Sequence, residues 1–534
     1  MASAHPPASP WAPLAVPLFR TLWLASVVSG VGGTMHDTAA VWTLATLTPS
    51  PVLVTLMQTM ASLPLFLFAL PAGALADLLD KRRFLIWTQL AAALAALLLA
   101  GLAWAGGLTV PVLLGGTFLL GVVAAFTNPG WASLMPEIIE KRHMPGAVAL
   151  GAVGVNLARA IGPLVGGLLV AAAGPGPVFA LNAASFLGIV VVLARWRRPD
   201  PPRRPNAEHV LGAMVAAARH VRHAPAIRRV LVRHGLFTFA GVAPVALLPL
   251  LVKHLGLPAA GFGALMGGYG VGGILVALFL LPRLRARFHL DTITLGAGLA
   301  AVTATGLLAL AKSPWAVGAL MILAGAAWLT MMAQMNVAGQ SVFPHWIRAR
   351  ASATQLIAVQ GGIALGAVVW GQLTGSFSLA VALAVAAGVL LLQVVVARAL
   401  PLGAALDADL EPAADPGAHG QLGVKPADSE GPVLVLIRYQ VAPAREAEFL
   451  RATLALRDVR LRDGAFRWDL WRDLQEAGVF HEAFLVGSWG EHERQHARTT
   501  VADRAVKEAV LACHAGPEPP RVRHSVWARA RPAP

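Results

Sequence analysis

Two groups of residues in this 534-residue chain have the types and spacing for chemistry. His492, Glu493 and His496 spell HERQH, the H-E-x-x-H pattern in which two histidines one helical turn apart hold zinc and the glutamate acts as base. His36 and Asp37 lie in the apolar stretch GGTMHDTAAVW (32–42), and Arg159 lies in another, VNLARAIGPLVGG (155–167). A charge in hydrocarbon costs about 2.5–3.5 kcal/mol at mid-helix, so such a carboxylate needs a partner, a proton or water. It can then take up and release a proton, with an adjacent imidazole as relay. What either group does depends on the elements that carry it.

Those elements are apolar. The chain is 57% hydrophobic and 13% charged, more apolar than any water-soluble domain requires. Stretches of about 20 apolar residues, the length that crosses a bilayer core, recur twelve times, at 21–47, 52–75, 84–105, 108–127, 147–173, 176–195, 230–252, 260–281, 292–311, 315–338, 351–375 and 378–398. The first of these is too long for a signal peptide core and reads as a retained span. Cys513 is the only cysteine, which excludes an intrachain disulfide and points to a reducing compartment.

Charge is sided. Residues 1–400 hold 25 of the 42 Lys and Arg, and 22 of those 25 fall on one side, with clusters in the connections that follow even-numbered spans: KRR (81–83), EKRH (140–143), RWRRPDPPRR (195–204), RLRAR (283–287) and RAR (348–350). The odd-numbered connections are nearly bare. The net charge of +15 therefore reports orientation rather than nucleic-acid binding, and the positive-inside rule places the chain in a bacterial inner membrane with both termini cytoplasmic.

The halves repeat. Asn128, Ser133, Pro136, Ile139 and Arg142 recur 208 residues later as Asn336, Ser341, Pro344, Ile347 and Arg350. Two six-span halves related by an axis along the membrane normal suit a transporter that rocks about a central site. The domains expected are a cytoplasmic tail (1–17), spans 1–6 (18–198), a basic loop with an amphipathic helix (199–228), spans 7–12 (229–400), an acidic linker (401–431) and a cytoplasmic domain (432–534).

GALADLLDKRR (73–83), between spans 2 and 3, resembles the signature loop of the major facilitator superfamily. The resemblance implies that Gly73 permits close helix approach, that Asp77 engages a neighbouring helix end and that Arg82 or Arg83 clasps it, with Asp80 and Lys81 in the same conformational gate. GPLVGG (162–167) is similar to the glycine-proline motif of the superfamily's exporters, with Gly162, Pro163, Gly166 and Gly167 packing and bending span 5; the motif's upstream glycines are Ala149 and Ala158 here. NPGWASLMPEIIEKRHMPGAVALGAVGVNLARAIGPLVGG (128–167), AGQSVFPHWIRAR (338–350) and SWGEHERQHARTT (488–500) together resemble the enterobactin-exporter-like branch, the transmembrane secretion effectors. The implied fold is an all-α membrane protein of twelve transmembrane helices in two six-helix halves. The implied activity is efflux.

Spans 1 and 5 both rise from the basic side, with Asp37 about fifteen and Arg159 about twelve residues in, so the two charges lie at similar depth, roughly 20 Å. Three readings stay open: a site that exchanges a proton as substrate passes, a permanent Asp37–Arg159 pair that fixes packing, and a hydrated Asp37 in the outer vestibule. The repeat supplies no second copy, since the offset maps Asp37 onto Val245 and Arg159 onto Ala367. Gln58, Asn156, Asn182, Gln334, Asn336 and Gln360 are further polar residues in or near spans, set in a lining that suits an amphiphile.

In the tail, strands at 433–440, 466–472, 479–489 and 521–529 with helices at 443–460 and 490–513 give a small α+β ferredoxin-like order. The segment resembles the dimeric α+β barrel of antibiotic-biosynthesis monooxygenases, which implies self-association. Ser488 and Glu491 form S-x-x-E and start a helix just before His492. A zinc protease also needs a third ligand and a cleft, and neither His514 nor Glu508 stands at the required spacing, so HERQH is expected to pack rather than to hold metal. The sequence thus predicts a proton-coupled exporter of a small amphiphile, drug-like or siderophore-like, using no cofactor. An exporter fused to an active oxygenase-like enzyme and an uncoupled facilitator are the alternatives.

Overall fold

The computed structural model describes residues 11–196, 222–344, 348–403, 409–413, 424 and 426–528. Most of the basic loop with its expected amphipathic helix, and most of the acidic linker, lie outside the described residues. The chain divides into two compact units, one holding the membrane helices apart from residues 225–230, 337–342 and 348–352 at their ends, which fall with the C-terminal domain in the other.

The first unit is built from α1 (Pro17–Leu47), α2 (Pro51–Leu78), α3 (Lys81–Trp104), α4 (Val110–Ile138), α5 (Met144–Ala173) and α6 (Pro175–Arg195), followed by α7 (Pro225–His254), α8 (Ala259–Arg287), α9 (Leu290–Leu308), α10 (Pro314–Val342), α11 (Arg348–Ser376) and α12 (Leu379–Ala399). Proline in the first turn opens several of them, where its missing N–H costs no hydrogen bond. Ser50, Asp80 and Ser378 cap α2, α3 and α12 by accepting from the N–H groups of Leu53, Arg83 and Val381. Among the described residues, eleven helices are long and apolar enough to cross a membrane. The twelfth, α1, is 31 residues long, roughly 46 Å at 1.5 Å per residue.

In the first half α1 packs on α5 and α6, α2 on α4, and α3 on α6 and α4; in the second half α9 packs on α12. The halves meet along α5 and α8. There Gly167 and Gly263 bring backbone against backbone: a methyl group on Gly263 would collide with the Pro163 carbonyl oxygen, and one on Gly167 would lie 2.7 Å from that of Ala259.

Several helices outrun their apolar stretches at the end that carries the basic loops. α4 continues through Pro129 and Pro136 to Ile138, where hydropathy ends the span at 127. α7 begins at Pro225, inside the stretch expected to form the amphipathic loop helix.

The second unit contains β1 (Val433–Gln440), α13 (Glu446–Asp463), β2 (Ala465–Arg472), β3 (Val479–Val486), α14 (Trp489–Ala497), α15 (Val501–Leu511) and β4 (Arg521–Val526). Its sheet runs β2-β3-β1-β4 with every pairing antiparallel, the ferredoxin-like order. Val433, Val435, Ile437 and Tyr439 alternate inward from β1 and join Phe449, Leu456, Phe480, Phe484, Trp489 and Val510 in one core. Each fully buried side chain of this size stabilises by about 1.5–3 kcal/mol. The single helix read at 490–513 is two helices, because Thr500 and Asp503 form a reciprocal capping box and start α15 afresh.

Candidate functional site

The α1–α5 contact sets the register of the membrane site. The Thr34 hydroxyl donates to the Ala158 carbonyl at 2.8 Å, Gly162 lies against Thr34, and Gly166 against Met35. Gly30 also meets Ala158, so Arg159 is about level with Val31, and Asp37 lies nearly two turns, roughly 9 Å, farther from the basic end.

α5 stands between α1 and α8, with Ala158 and Gly162 turned to α1 and Ala160 and Gly167 to α8. At about 100° per residue, Arg159 falls on a third face with Val148, Ala152 and Val155, all exposed. It lies opposite Leu157, Ile161, Leu164 and Leu168, an exposed stripe whose purely apolar composition suits lipid. On α1, Gly30 and Thr34 face α5 while Gly32 and His36 face α6. Asp37 is exposed and lies about 180° round from the exposed Val28. Asp37 and Arg159 thus project from neighbouring helices to the same, inner side of the α1–α5–α8 wall.

They do not pair. Among the described residues neither makes a hydrogen bond or an ion pair of 4.0 Å or less, so the permanent lock is not formed in this state. Tyr269 of α8 lies within electrostatic reach of Arg159. His36 turns the other way: it is 1% exposed, its ring lies 4.4 Å from that of Phe179, and both ring nitrogens lack a hydrogen-bond partner.

Contacts between the halves, among the described residues, run from mid-bundle to the end away from the basic loops. Lys253 donates to the Ala45 carbonyl at 2.7 Å, Trp42 stacks on Phe262, Thr59 donates to the Ala364 carbonyl at 2.9 Å, and Gly371 lies against Thr55. Toward the basic end the Val148–Ala152–Val155 stripe is open.

The loop between α2 and α3 is tied to its own half. Asp80 caps α3, Arg82 donates to the Leu193 and Ala194 carbonyls, both at 2.7 Å, and so closes the C-terminus of α6. Lys81 bridges to Glu137 at 2.8 Å and to the Ser133 carbonyl of α4, while Arg83 is exposed. Gly73 and Asp77 lie on the last turns of α2, and the Asp77 side chain is outside the described residues. Of the repeat-related residues, Asn128, Pro136 and Asn336 are exposed, Arg142 pairs with Glu140, Pro344 is buried just beyond α10, and the Arg350 side chain is outside the described residues. Asn182 and Gln334 are buried, and the Asn156 amide donates to the Ala152 carbonyl.

Two polar clusters were not visible in the sequence. Arg233, 0% exposed, pairs with Asp291 at 2.5 Å and donates to the Thr294 hydroxyl and the Leu400 carbonyl, tying α7 to α9 and the end of α12. His234 meets Gln355 at 3.0 Å and the Met332 sulfur at 3.2 Å. In sequence Arg233 reads as one more charge on the basic side.

In the C-terminal domain HERQH packs inward. His492 is 1% exposed among Trp489, His496 and His524, and Glu493 accepts from the Trp489 indole at 3.1 Å. Glu491 bonds Arg494 and Arg498. Glu482, also fully buried, accepts from Tyr439, Trp468 and Arg460 at 2.9, 3.0 and 3.1 Å.

A family model described as transmembrane secretion effector matches residues 8–533. The enterobactin exporters EntS of Shigella boydii serotype 4 and of Citrobacter koseri are each 28% identical over 267 residues, 49% of this chain and 62% of theirs. The chain thus spans less than two thirds of the length of these curated relatives. Among solved structures, a mutant of the nucleoside transporter NupG superposes with a TM-score of 0.59 at 14% identity, covering 72% of this chain and 99% of that one. A bacterial homologue of the iron transporter ferroportin, in an inward-facing state, gives 0.56 at 16%, covering 72% and 98%. The chain is a multi-pass membrane protein of the transmembrane secretion effector family, with the fold of the major facilitator superfamily.

Proposed function

We propose that the protein is a secondary active exporter of a small, amphiphilic, siderophore-like molecule, driven by proton antiport through Asp37. One observation carries the coupling assignment: inside a membrane bundle, a carboxylate faces the interior of the wall without an ion pair, where water, substrate and protons can reach it. Alternating access supplies the cycle. With the basic loops cytoplasmic, as the positive-inside rule requires, the contacts from mid-bundle outward close the periplasmic side and leave the Arg159 stripe open to the cytoplasm. Both termini are then cytoplasmic, in a bacterial inner membrane. The likeness to the enterobactin exporters supports the direction and the class of cargo.

Asp37 is the proton-exchanging group, and Arg159 sets the charge of the cavity. His36 acts on Asp37 only through helix packing, because its ring faces α6. The loop from Gly73 to Arg83 stabilises one conformer by holding α3, α4 and α6 together, and Gly162, Pro163, Gly166 and Gly167 form the surface on which α5 meets its neighbours. Residues 432–534 form an accessory domain, and the uncovered face of its sheet, with Leu434, Leu436 and Leu485, supports self-association.

The test is efflux from loaded cells of hydrophobic antibiotics, dyes and catecholate chelators, for the intact protein and Asp37→Asn, with and without a protonophore. Loss of export with both treatments is expected. A variant that pumps normally would remove Asp37 from the mechanism. A second reading, a tail that modifies the exported molecule, rests on the buried Glu482 cluster. It requires that deletion of residues 405–534 change the chemical identity of the product.

A further inference from the structure

We infer that Arg159 is the substrate-recognition residue and that the exported molecule is an amphiphilic acid, held by its carboxylate. The inference rests on the export reading for its physiological meaning, though its binding arm does not.

The geometry of α5 carries it. Arg159 projects from the middle of a membrane helix to the inner side of the α1–α5–α8 wall, and among the described residues it donates to no acceptor and pairs with no carboxylate. A guanidinium has five N–H donors in a planar fork that matches two adjacent anionic oxygens. Left to itself at this depth it needs water or an anion. Asp37, on the same side of the wall, lies nearly two turns deeper on α1 and leaves the fork unfilled.

The surroundings give the shape of the partner. Val148, Ala152 and Val155 share the Arg159 face and lead from the basic end up to it, an exposed apolar track three turns long. A molecule entering along this track meets apolar side chains first and the cation last. It must therefore present an apolar or aromatic body behind a leading acid. Asp37, nearly two turns beyond, repels that acid and stops its advance, so the two charges bracket the headgroup.

The position also links recognition to movement. The Arg159 carbonyl lies at the α5–α8 seam, where a methyl group on Gly270 would come within 2.5 Å of it, and Tyr269, the neighbour of Gly270 on the other half of the bundle, is within electrostatic reach of the guanidinium. An acid bound to Arg159 changes the charge that this seam feels. The bound state thereby bears on the contact that must change between conformers.

The experiment uses the full-length protein purified in detergent, with 2,3-dihydroxybenzoate as the acidic probe and its primary amide as the neutral one. Binding is read by quenching of tryptophan fluorescence, then transport by efflux from cells. Expected is preferential binding of the acid by the intact protein, at least a tenfold loss in Arg159→Gln with little change for the amide, and partial recovery in Arg159→Lys, which restores charge without the fork. Equal weakening of acid and amide in Arg159→Gln, or equal binding of both probes by the intact protein, overturns the inference. Acid-selective binding that depends on Arg159 while no probe is exported supports the inference and counts against the export reading. Normal acid binding in Arg159→Gln with export lost would leave the export reading standing and remove Arg159 from recognition.

Discussion

Asp37 on α1 and Arg159 on α5 face the same side of one helical wall, nearly two turns apart in height, without touching. Opposite charges that meet in a membrane interior relieve each other's desolvation. Here both stay exposed and apart, as the proposed proton exchange at Asp37 and anion contact at Arg159 require. The consequences for neighbouring residues can be measured.

Arg82 clasps the end of α6 through two charge-assisted hydrogen bonds to main-chain carbonyls. Bonds of this kind contribute roughly 1.5–3 kcal/mol each when well formed, and solvent reduces the sum at this partly exposed site. Arg82→Ala is expected to destabilise the protein by about 2 kcal/mol, read as a lowered melting temperature in detergent. Arg83→Ala, which removes an exposed side chain, should melt like the intact protein.

Gly263 meets Pro163 and Gly167 so closely that even a methyl group forces α5 and α8 apart. Gly263→Ala should therefore weaken the arrangement closed at the end away from the basic loops and shift the population toward the opposite one. A cysteine at Val155, in a Cys513→Ser background, reports this: its labelling by maleimide in everted vesicles should slow several-fold. An unchanged rate would show that the seam tolerates the methyl group.

Arg233 is buried with Asp291 as its counter-ion. Removing one member of such a pair typically costs about 3–5 kcal/mol, because the other charge stays behind. Arg233→Ala should fold poorly or melt far below the intact protein. Arg233→Met combined with Asp291→Asn should recover much of the loss, which thermal melts of the four proteins will resolve.

Asp473 accepts hydrogen bonds from His481 and from the main-chain N–H groups of Gln475 and Glu476, and these hold its carboxyl down at about 2. A carboxylate whose folded value lies below its unfolded value of about 4 contributes stability that is present above pH 4 and is lost as pH falls toward 2. Asp473→Asn should therefore melt below the intact protein at pH 7, with the gap closing between about pH 4 and pH 2. A gap independent of pH would assign the loss to geometry rather than charge.

The hydrophobic runs and sided charges made the two-half bundle legible, and strand alternation made the tail's topology legible. Helix ends were not. α4 runs eleven residues past the hydropathy limit of 127, because a helix leaving the hydrocarbon keeps its own hydrogen bonds while its side chains turn polar, and internal prolines are accommodated by neighbouring helices. Arg233 was hidden for a related reason: charge near a helix end says nothing about whether a carboxylate two helices away has come to meet it. Asp37 and Arg159 could be singled out as rare charges in apolar spans. Whether they touch was beyond reach, because facing directions depend on the Thr34–Ala158 register, which no local pattern encodes. The break between α14 and α15 was readable in principle from Thr500 and Asp503, a second cap inside an apparently continuous helical stretch.

The glycine seam between α5 and α8 has a mechanical meaning. Interlocked side chains behave like gear teeth, and turning one helix against the other requires each tooth to disengage. Where Gly167 and Gly263 meet, two smooth cylinders touch along their backbones, with no rotamer to unlock and little friction to overcome. The seam is a bearing. In the proposed transport cycle its smoothness would set how cheaply the halves roll, and the charged contacts elsewhere would decide in which position they rest.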